Sequence, residues 1–512
     1  MNFSETLSIV SEIMPDRVAT VFDNEFTSYS MLDHEVNLIA SGLMSMGVNP
    51  GDRVAFLDVN TDRQIKLIYS IARAGGISVP INYRAKSSEI EFCINDSGAS
   101  VIVVGPDYHE MVLSIVGSIK NELTLISFQS NPCSENWIPY EDIIKNKNDV
   151  YPITDAKDPA IILYTSGTTG RPKGVTLTHQ SITDRLLNSI FPDMENNEVV
   201  LLSMPLYHVA GMHILFASIY EGRRLVIQRQ FHSEEWFELI EEHKISRTTL
   251  VPTMLKMILE DQSFSATNLS SLRMITYGAA PMPLNVITEA IRRLPHVGFI
   301  NAFGQTESGS TIAALTPEDH VLDGTESEIE QKLNRLSSIG KPLEGVDVRI
   351  YSNQTNMLPG HVGEILVRSD QIMDGYWNDK NLSCSVINEG WLNTGDMGYI
   401  DEDGYIFLKG RTKDFIKRGG ERISPHEVEM VLLQHAGVKE TAVIGKPDMH
   451  WGEIIVAFVI KSEGSNVTEN DLILHCKQVL SSFKKPEEII FIETMPKNAL
   501  GKILKKDLRN LF

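Results

Sequence analysis

Thr165-Ser166-Gly167-Thr168-Thr169-Gly170-Arg171-Pro172-Lys173-Gly174 gathers four hydroxyl side chains, three glycines and two cations within ten residues. Glycine lets successive backbone N–H groups curl toward an anion. Hydroxyls donate hydrogen bonds to it, and Arg171 and Lys173 add charge. The chemistry this composition suits is the grip of a phosphate chain. It is not the common nucleotide-hydrolase loop, which needs lysine followed by serine or threonine; here Pro172 precedes Lys173 and Gly174 follows it. A structural Ser/Thr/Gly linker is the other reading. It fits less well, because the apolar run Ala160-Ile161-Ile162-Leu163-Tyr164 feeds directly into the loop.

Further groups stand downstream. In Met204-Pro205-Leu206-Tyr207-His208 the histidine is either a packed structural residue or a contact for a bound carboxylate. Gly278, Ala279 and Ala280 either form a tight corner after a strand or let a ligand approach the backbone closely. In Asn301-Ala302-Phe303-Gly304-Gln305-Thr306-Glu307-Ser308, Phe303 can stack on a base, and Gln305 and Thr306 can hydrogen-bond. Glu307 is either a solvated loop residue or a hard oxygen ligand suited to Mg²⁺. Asp396 can accept both hydroxyls of a ribose, although Thr394-Gly395-Asp396 taken alone reads as a turn. The tail segment Met495-Pro496-Lys497-Asn498-Ala499-Leu500-Gly501-Lys502 reads unaided as a solvated surface.

The elements that must hold these residues alternate in type. Residues 29–46 have helical apolar spacing and stop at Gly47 and Asn49-Pro50-Gly51-Asp52. Short apolar strands are expected at 54–57, 77–80, 160–164, 198–202, 225–227 and 273–277, with helical segments between them. That rhythm predicts an α/β body to about residue 300. From about 337 short strands and turns follow, which predicts a β-rich subdomain ending near 408. After a break at Gly410-Arg411-Thr412-Lys413-Asp414 the pattern helix, strand, strand, helix, strand predicts a compact α+β domain of about a hundred residues. The expected division is therefore 1–410 and 411–512.

At 512 residues the chain exceeds one ordinary core. Its net charge of -21 makes it a poor general binder of nucleic acid or anionic membrane. The last 102 residues carry 16 basic and 14 acidic side chains, so the acidity belongs to the body. No long charge-free apolar run predicts a membrane span, and the N-terminus does not read as a signal peptide. The four cysteines lie far apart in sequence, which argues against a disulfide framework or cysteine zinc site and for a reducing, cytoplasmic setting.

Taken in order, these segments resemble the signature motifs of the adenylate-forming enzymes, most closely the acyl-CoA synthetases, and the resemblance spans nearly the whole chain. It implies that Thr165, Ser166, Gly167, Thr168, Thr169, Gly170 and Lys173 hold the phosphates of ATP. By the same resemblance Gly278, Ala279 and Ala280 wall the adenine and acyl pocket. Phe303, standing where the family commonly has tyrosine, stacks beside Gly304; Thr306 contacts phosphate and Glu307 coordinates Mg²⁺. His208 lies near the acyl carboxylate but is no general base, since that carboxylate is already ionised at neutral pH. Asp396 and Arg411 match ribose contacts, and Lys413 matches the hinge of a mobile C-terminal domain. Arg422 matches a residue near the nucleotide in the thioester-forming arrangement, and Gly420 one beside the pantetheine arm. Lys502 matches the lysine that enters for adenylation, although Leu500 replaces the usual Ser or Thr.

The activity so implied is attack of a carboxylate on ATP to give acyl-adenylate and pyrophosphate, then transfer to coenzyme A with release of AMP. A free-standing enzyme loading a carrier protein is the alternative. The expected substrate is a fatty acid or a cyclic or aromatic carboxylate, and the expected assembly a monomer or homodimer without nucleic-acid partners.

Overall fold

The computed structural model describes residues 1–132, 134–145, 148–151, 154–165, 171–187, 197–352, 355–419, 421–497 and 503–512. The chain divides into two compact units. One comprises 1–336, 342–347 and 368–392; the other comprises 337–341, 348–367 and 393–512.

The first unit contains two large sheets. One places Pro159–Thr165 beside Ile77–Pro80, then Arg53–Leu57, Val101–Val104 and Thr124–Ser127, all parallel. Lys173–Thr178 is antiparallel to Pro159–Thr165 on its other side, and Gly375–Tyr376 closes that edge. The second sheet runs Thr311–Leu315, Gly298–Gly304, Met274–Gly278, Arg247–Leu250, Val199–Leu202, Arg224–Ile227, Val18–Phe22 and Glu25–Ser28. The central strands of both read as continuous apolar runs because helices cover both faces of a parallel sheet.

Helix Asp62–Arg73 shows how the sheets are joined. Every residue from Gln64 to Arg73 is buried, the polar Gln64, Lys66, Ser70 and Arg73 included. The Thr61 side chain accepts the Gln64 N–H as its N-cap, and Asp62 and Arg73 complement the helix dipole at either end. Its two buried cations are tied down, Lys66 to Asp62 (2.6 Å) and Glu35 (2.8 Å) and Arg73 to Asp33 (2.6 Å). One apolar cluster runs from Phe56 and Val101 through Ile68 and Tyr69 to Phe216 and Val200, joining residues of both sheets.

His179 follows the strand that starts at Lys173. It is fully buried, and its Nδ1 accepts the Phe3 N–H at 3.3 Å, so Nδ1 carries no proton. Burial depresses its imidazole from 6.5 to about 4. The unfolded chain therefore binds this proton at a higher pH than the folded one does. The stability concerned is intact above pH 6.5 and is lost as pH falls from 6.5 toward 4, by about 3 kcal/mol. His179→Gln should flatten that part of the acid limb in thermal unfolding. Parallel limbs for the variant and the wild type would assign the loss to other groups.

In the second unit an antiparallel group contains Gly363–Arg368, Trp391–Ile400 and Ile406–Arg411. The C-terminal part packs helices Pro425–Leu433 and Glu469–Val479 on a sheet of Ile416–Arg418, Glu421–Ile423, Val438–Asp448, Gly452–Lys461 and Glu488–Phe491. This is the α+β pattern expected. Among the described residues no helix is long and apolar enough to cross a membrane.

Candidate active site

The strands on either side of the glycine- and hydroxyl-rich segment pair with each other, Pro159–Thr165 antiparallel to Lys173–Thr178. Thr165 lies directly across from Lys173, and Tyr164 from Gly174. Opposed residues of an antiparallel pair share a face, so Thr165 and Lys173 are side by side. The glycine at 174 answers to space: a Cβ there would stand 2.8 Å from Ile162 Cγ2 and 3.2 Å from Trp377 Cβ. The Tyr164 hydroxyl donates to Asp96 (2.8 Å), and burial, reinforced by Asp96, pushes that phenol well up. Ser166, Gly167, Thr168, Thr169 and Gly170 lie outside the described residues.

Strand Gly298–Gly304 carries Phe303 and Gly304 to the turn Thr306–Ser308. Ser308 Oγ fixes that turn by receiving the Gln305 N–H at 3.0 Å and donating to the Ser310 carbonyl at 2.8 Å. Thr306 is buried and Glu307 half-buried. The Glu307 carbonyl accepts the Met373 N–H (3.0 Å), and its Oε1 accepts the Tyr376 hydroxyl (3.0 Å). Lys173 Nζ lies 5.0 Å from the centroid of the same Tyr376 ring. Tyr376 is itself paired with Val175 on the phosphate hairpin. One tyrosine thus connects the lysine of one sheet to the glutamate of the other. Sequence reasoning missed it; Gly375-Tyr376-Trp377 carries no pattern that distinguishes it from a packed aromatic pair.

Beside this turn, Gly278 ends its strand opposite Ala302. A Cβ on Gly278 would fall 2.2 Å from the Ala302 carbonyl oxygen. Ala279 follows with φ +64°, a left-handed conformation that costs a non-glycine residue roughly 1 kcal/mol. Ala279 is exposed, while Gly278 and Ala280 are half-buried, so the corner is open to a ligand. It is anchored from behind. His320 Nδ1–H donates to the Thr316 carbonyl (2.7 Å), which leaves Nε2 to accept the Tyr277 hydroxyl (2.9 Å).

His208 is the N-cap of helix Val209–Tyr220. Its Nδ1 accepts the Ala210 N–H (3.2 Å), so the ring proton sits on Nε2. Asn60 fixes the preceding loop, taking the Leu206 N–H and donating to the Met204 carbonyl, each at 3.0 Å.

In the second unit Asp396 lies in the middle of strand Trp391–Ile400, not in the turn its Thr-Gly-Asp sequence suggests. Gly395, at φ +71°, supplies the kink that gave the turn-like signature without ending the strand. Asp396 pairs across the ladder with Arg411, whose Nε stands 3.0 Å from its Oδ1. Thr394 Oγ1 accepts the Asp396 N–H (3.1 Å) and donates to the Ile365 carbonyl (2.8 Å). The neighbours of Lys413 are tied on both sides, Thr412 N–H to the Gly395 carbonyl and Asp414 N–H to that of Arg411. Arg422 belongs to strand Glu421–Ile423, but its side chain, Gly420 and Lys502 lie outside the described residues.

Next to Gly419 a cavity of about 300 Å³ is lined by Arg418, Trp451 and Phe483. The Arg418 guanidinium lies 5.1 Å from the Trp451 ring centroid, and both aromatics are over 40% exposed. Exposed aromatic faces suit stacking on a base, while Arg418 is ion-paired with Glu487. These three residues also escaped sequence reasoning, since an isolated Trp or Phe in an α+β domain reads as core.

Among the described residues no group of three or more His, Cys, Asp and Glu is arranged to hold a metal. The single carboxylate of Glu307 fits a Mg²⁺ ion that takes its other ligands from phosphate and water.

The AMP-binding enzyme family model matches residues 10–377, and the AMP-binding enzyme C-terminal domain model matches 427–502. Indoleacetate–CoA ligase of Aromatoleum aromaticum is 32% identical, covering 100% of this chain and 98% of that protein. The fatty acid–[acyl-carrier-protein] ligase ScoC of Streptomyces coeruleorubidus is also 32% identical, covering 99% and 96%. The o-succinylbenzoate CoA synthetase of Bacillus subtilis, in complex with its acyl-adenylate intermediate, superposes with a TM-score of 0.84 at 26% identity, covering 98% and 97%.

Proposed function

Because the chain belongs to the AMP-binding enzyme family, in the acyl-CoA and aryl-CoA ligase branch of the adenylate-forming superfamily, we propose that the residues around Lys173 and Glu307 run its first half-reaction and those around Arg418 and Trp451 serve its second. The chain is an AMP-forming acid–thiol ligase. It uses ATP with Mg²⁺ to convert a carboxylic acid to acyl-adenylate, releasing pyrophosphate, and passes the acyl group to coenzyme A, releasing AMP. The observation that carries the assignment of residues is the Tyr376 bridge between Lys173 and Glu307.

In the first half-reaction the substrate carboxylate attacks the α-phosphorus and the bond to the β-phosphate oxygen breaks. Thr165, Lys173 and the 166–170 loop hold the phosphates in line for that displacement. Mg²⁺ held at Glu307 would supply charge neutralisation along the phosphate chain. Phe303 and Gly304, with Gly278, Ala279 and Ala280, take the adenine, and Thr306 contacts the phosphate. His208 Nε2–H donates to the acyl carboxylate and orients it, with no proton to remove. Asp396 accepts the ribose hydroxyls, and Arg411, ion-paired with it, is the second ribose contact.

In the second half-reaction the thiol attacks the mixed anhydride. Gly420 leaves room for the pantetheine arm, Arg422 faces the nucleotide, and Trp451, Phe483 and Arg418 receive the distal end of coenzyme A. The functional division we propose is 1–410 and 411–512, with Lys413 as hinge and Lys502 carried by the moving part. The substrate we place among hydrophobic monocarboxylates, fatty or aromatic. Relatives named for indoleacetate and a fatty acid support this. The free thiols of Cys93 and Cys476 support a cytoplasmic setting, and we propose a monomer or homodimer.

Incubation with ATP, Mg²⁺, coenzyme A and a panel of acids should yield AMP, pyrophosphate and acyl-CoA by mass spectrometry. ADP and phosphate would refute the adenylation chemistry. Adding a carrier protein in competition with coenzyme A tests the acceptor that ScoC uses.

Tyr376→Phe keeps the ring beneath Lys173 and deletes only the hydroxyl on Glu307. A hydrogen bond to a charged group contributes about 2 kcal/mol, so adenylation should slow by about thirtyfold and need more Mg²⁺. Pyrophosphate release titrated with Mg²⁺ reads both effects. An unshifted Mg²⁺ curve would reduce Tyr376 to a packing role.

A further inference from the structure

His208 ends the loop that joins strand Val199–Leu202 to helix Val209–Tyr220. Part of what holds this loop comes from the other large sheet. Asn60 follows strand Arg53–Leu57 and is only 2% exposed. Its Oδ1 accepts the Leu206 N–H (3.0 Å), and its Nδ2 donates to the carbonyls of Met204 (3.0 Å) and Gln228 (3.3 Å). The carbonyl of one residue and the N–H two places on are the pair that a parallel strand would take; here one amide side chain takes both. A flipped amide would point its donors at the Leu206 N–H and its acceptor at two carbonyls, so the partners fix its orientation. The Asn60 main chain joins in, its N–H donating to the Arg229 carbonyl (3.2 Å).

The clamp continues on the other side of the loop. Gln228 is fully buried. Its Oε1 accepts the Ser203 hydroxyl (2.7 Å), and its Nε2 donates to the His232 carbonyl (3.1 Å) and to Glu235 (3.0 Å). The loop is thus held at Ser203, Met204 and Leu206. From there the constraint reaches His208. The His208 N–H donates to the Pro205 carbonyl (3.1 Å), and a Cβ on Gly211 would stand 2.2 Å from that same oxygen. The first turn of the helix therefore packs directly on the clamped segment, and a shift of Pro205 carries the His208 ring with it. Such a shift would leave buried donors and acceptors unpaired, which is why a network of this kind holds one geometry.

We propose that Asn60 is a positioning residue for acid activation: acting through residues 203–206, it aims His208 at the acyl carboxylate without touching the substrate itself. The inference goes beyond the reading of His208 as the contact for that carboxylate, and rests on it. Misplacing an orienting group by about 1 Å can cost about a hundredfold in rate, so a buried side chain outside the site can matter as much as one inside it.

The test is steady-state pyrophosphate release by the full chain with straight-chain and aromatic acids, the constants being taken for the best acid. Asn60→Ala should lower kcat/KM for the acid by about tenfold to a hundredfold, while KM for ATP stays within about twofold. Ser203→Ala frees one point of the clamp by removing a single neutral hydrogen bond, so it keeps the fold if Asn60→Ala does not. It should lower the same constant by about threefold to tenfold. The decisive comparison is a double-mutant cycle with His208→Ala. In that background either substitution should change kcat/KM for the acid by less than about twofold. A matching rise in KM for ATP, or losses that persist in full without His208, would overturn the proposal and leave Asn60 a purely structural role. If His208→Ala alone keeps the wild-type constant for the acid, the reading of His208 fails first and this inference falls with it.

Discussion

Glu307→Gln should fold normally and form acyl-adenylate about a thousandfold more slowly than the wild type. The amide keeps the shape of the side chain, and its oxygen can still accept the Tyr376 hydroxyl that now reaches Oε1. The turn itself is fixed elsewhere, by Ser308 Oγ and by the Met373 N–H on the Glu307 carbonyl. Stability should therefore change by less than about 1 kcal/mol. What disappears is the negative charge that makes the group a ligand for Mg²⁺. Loss of about 4 kcal/mol of transition-state stabilisation corresponds to three orders of magnitude. Single-turnover pyrophosphate release at saturating ATP measures the rate, and a Mg²⁺ titration measures the ion's affinity. A wild-type rate with wild-type Mg²⁺ dependence would remove Glu307 from the site.

The second large effect is a division of labour. Lys502→Ala should slow acyl-adenylate formation by about two to three orders of magnitude, the range for removing one preorganised charge. Supplied with presynthesised acyl-adenylate and coenzyme A, the same variant should make thioester near the wild-type rate. Lys413→Pro should show the opposite pattern. Lys413 lies in the turn closed by the Asp414 N–H on the Arg411 carbonyl, and proline there fixes one of the torsions on which the proposed rotation depends. Its adenylation should survive while thioester formation drops. Equal losses in both half-reactions for both variants would refute the proposed hinge.

The parallel strands were legible in the sequence because burial on both faces makes them continuous apolar runs; Arg53–Leu57, Ile77–Pro80 and Val199–Leu202 each fall within a residue of expectation. Asp396 was harder to place. Glycine before an acid has the same local signature in a turn and in a kinked strand, and only pairing with Arg411 decides between them. Lys173 was seen as a cation in a loop, yet it begins a strand that pairs with Pro159–Thr165. Tyr376 was invisible for a different reason. Its role depends on a hydroxyl meeting a residue 69 positions away, and no periodicity encodes that.

The contact of Gly278 with the Ala302 carbonyl has a practical consequence for anyone retargeting the enzyme to other acids. With only 2.2 Å available, every substitution at 278 pushes against main chain, so a mutagenesis library that includes this position spends its diversity on misfolded clones. Ala280, half-buried two residues further on, is the productive place to vary chain length and ring size. A retargeted variant would thus keep Gly278 and differ in the acids it admits.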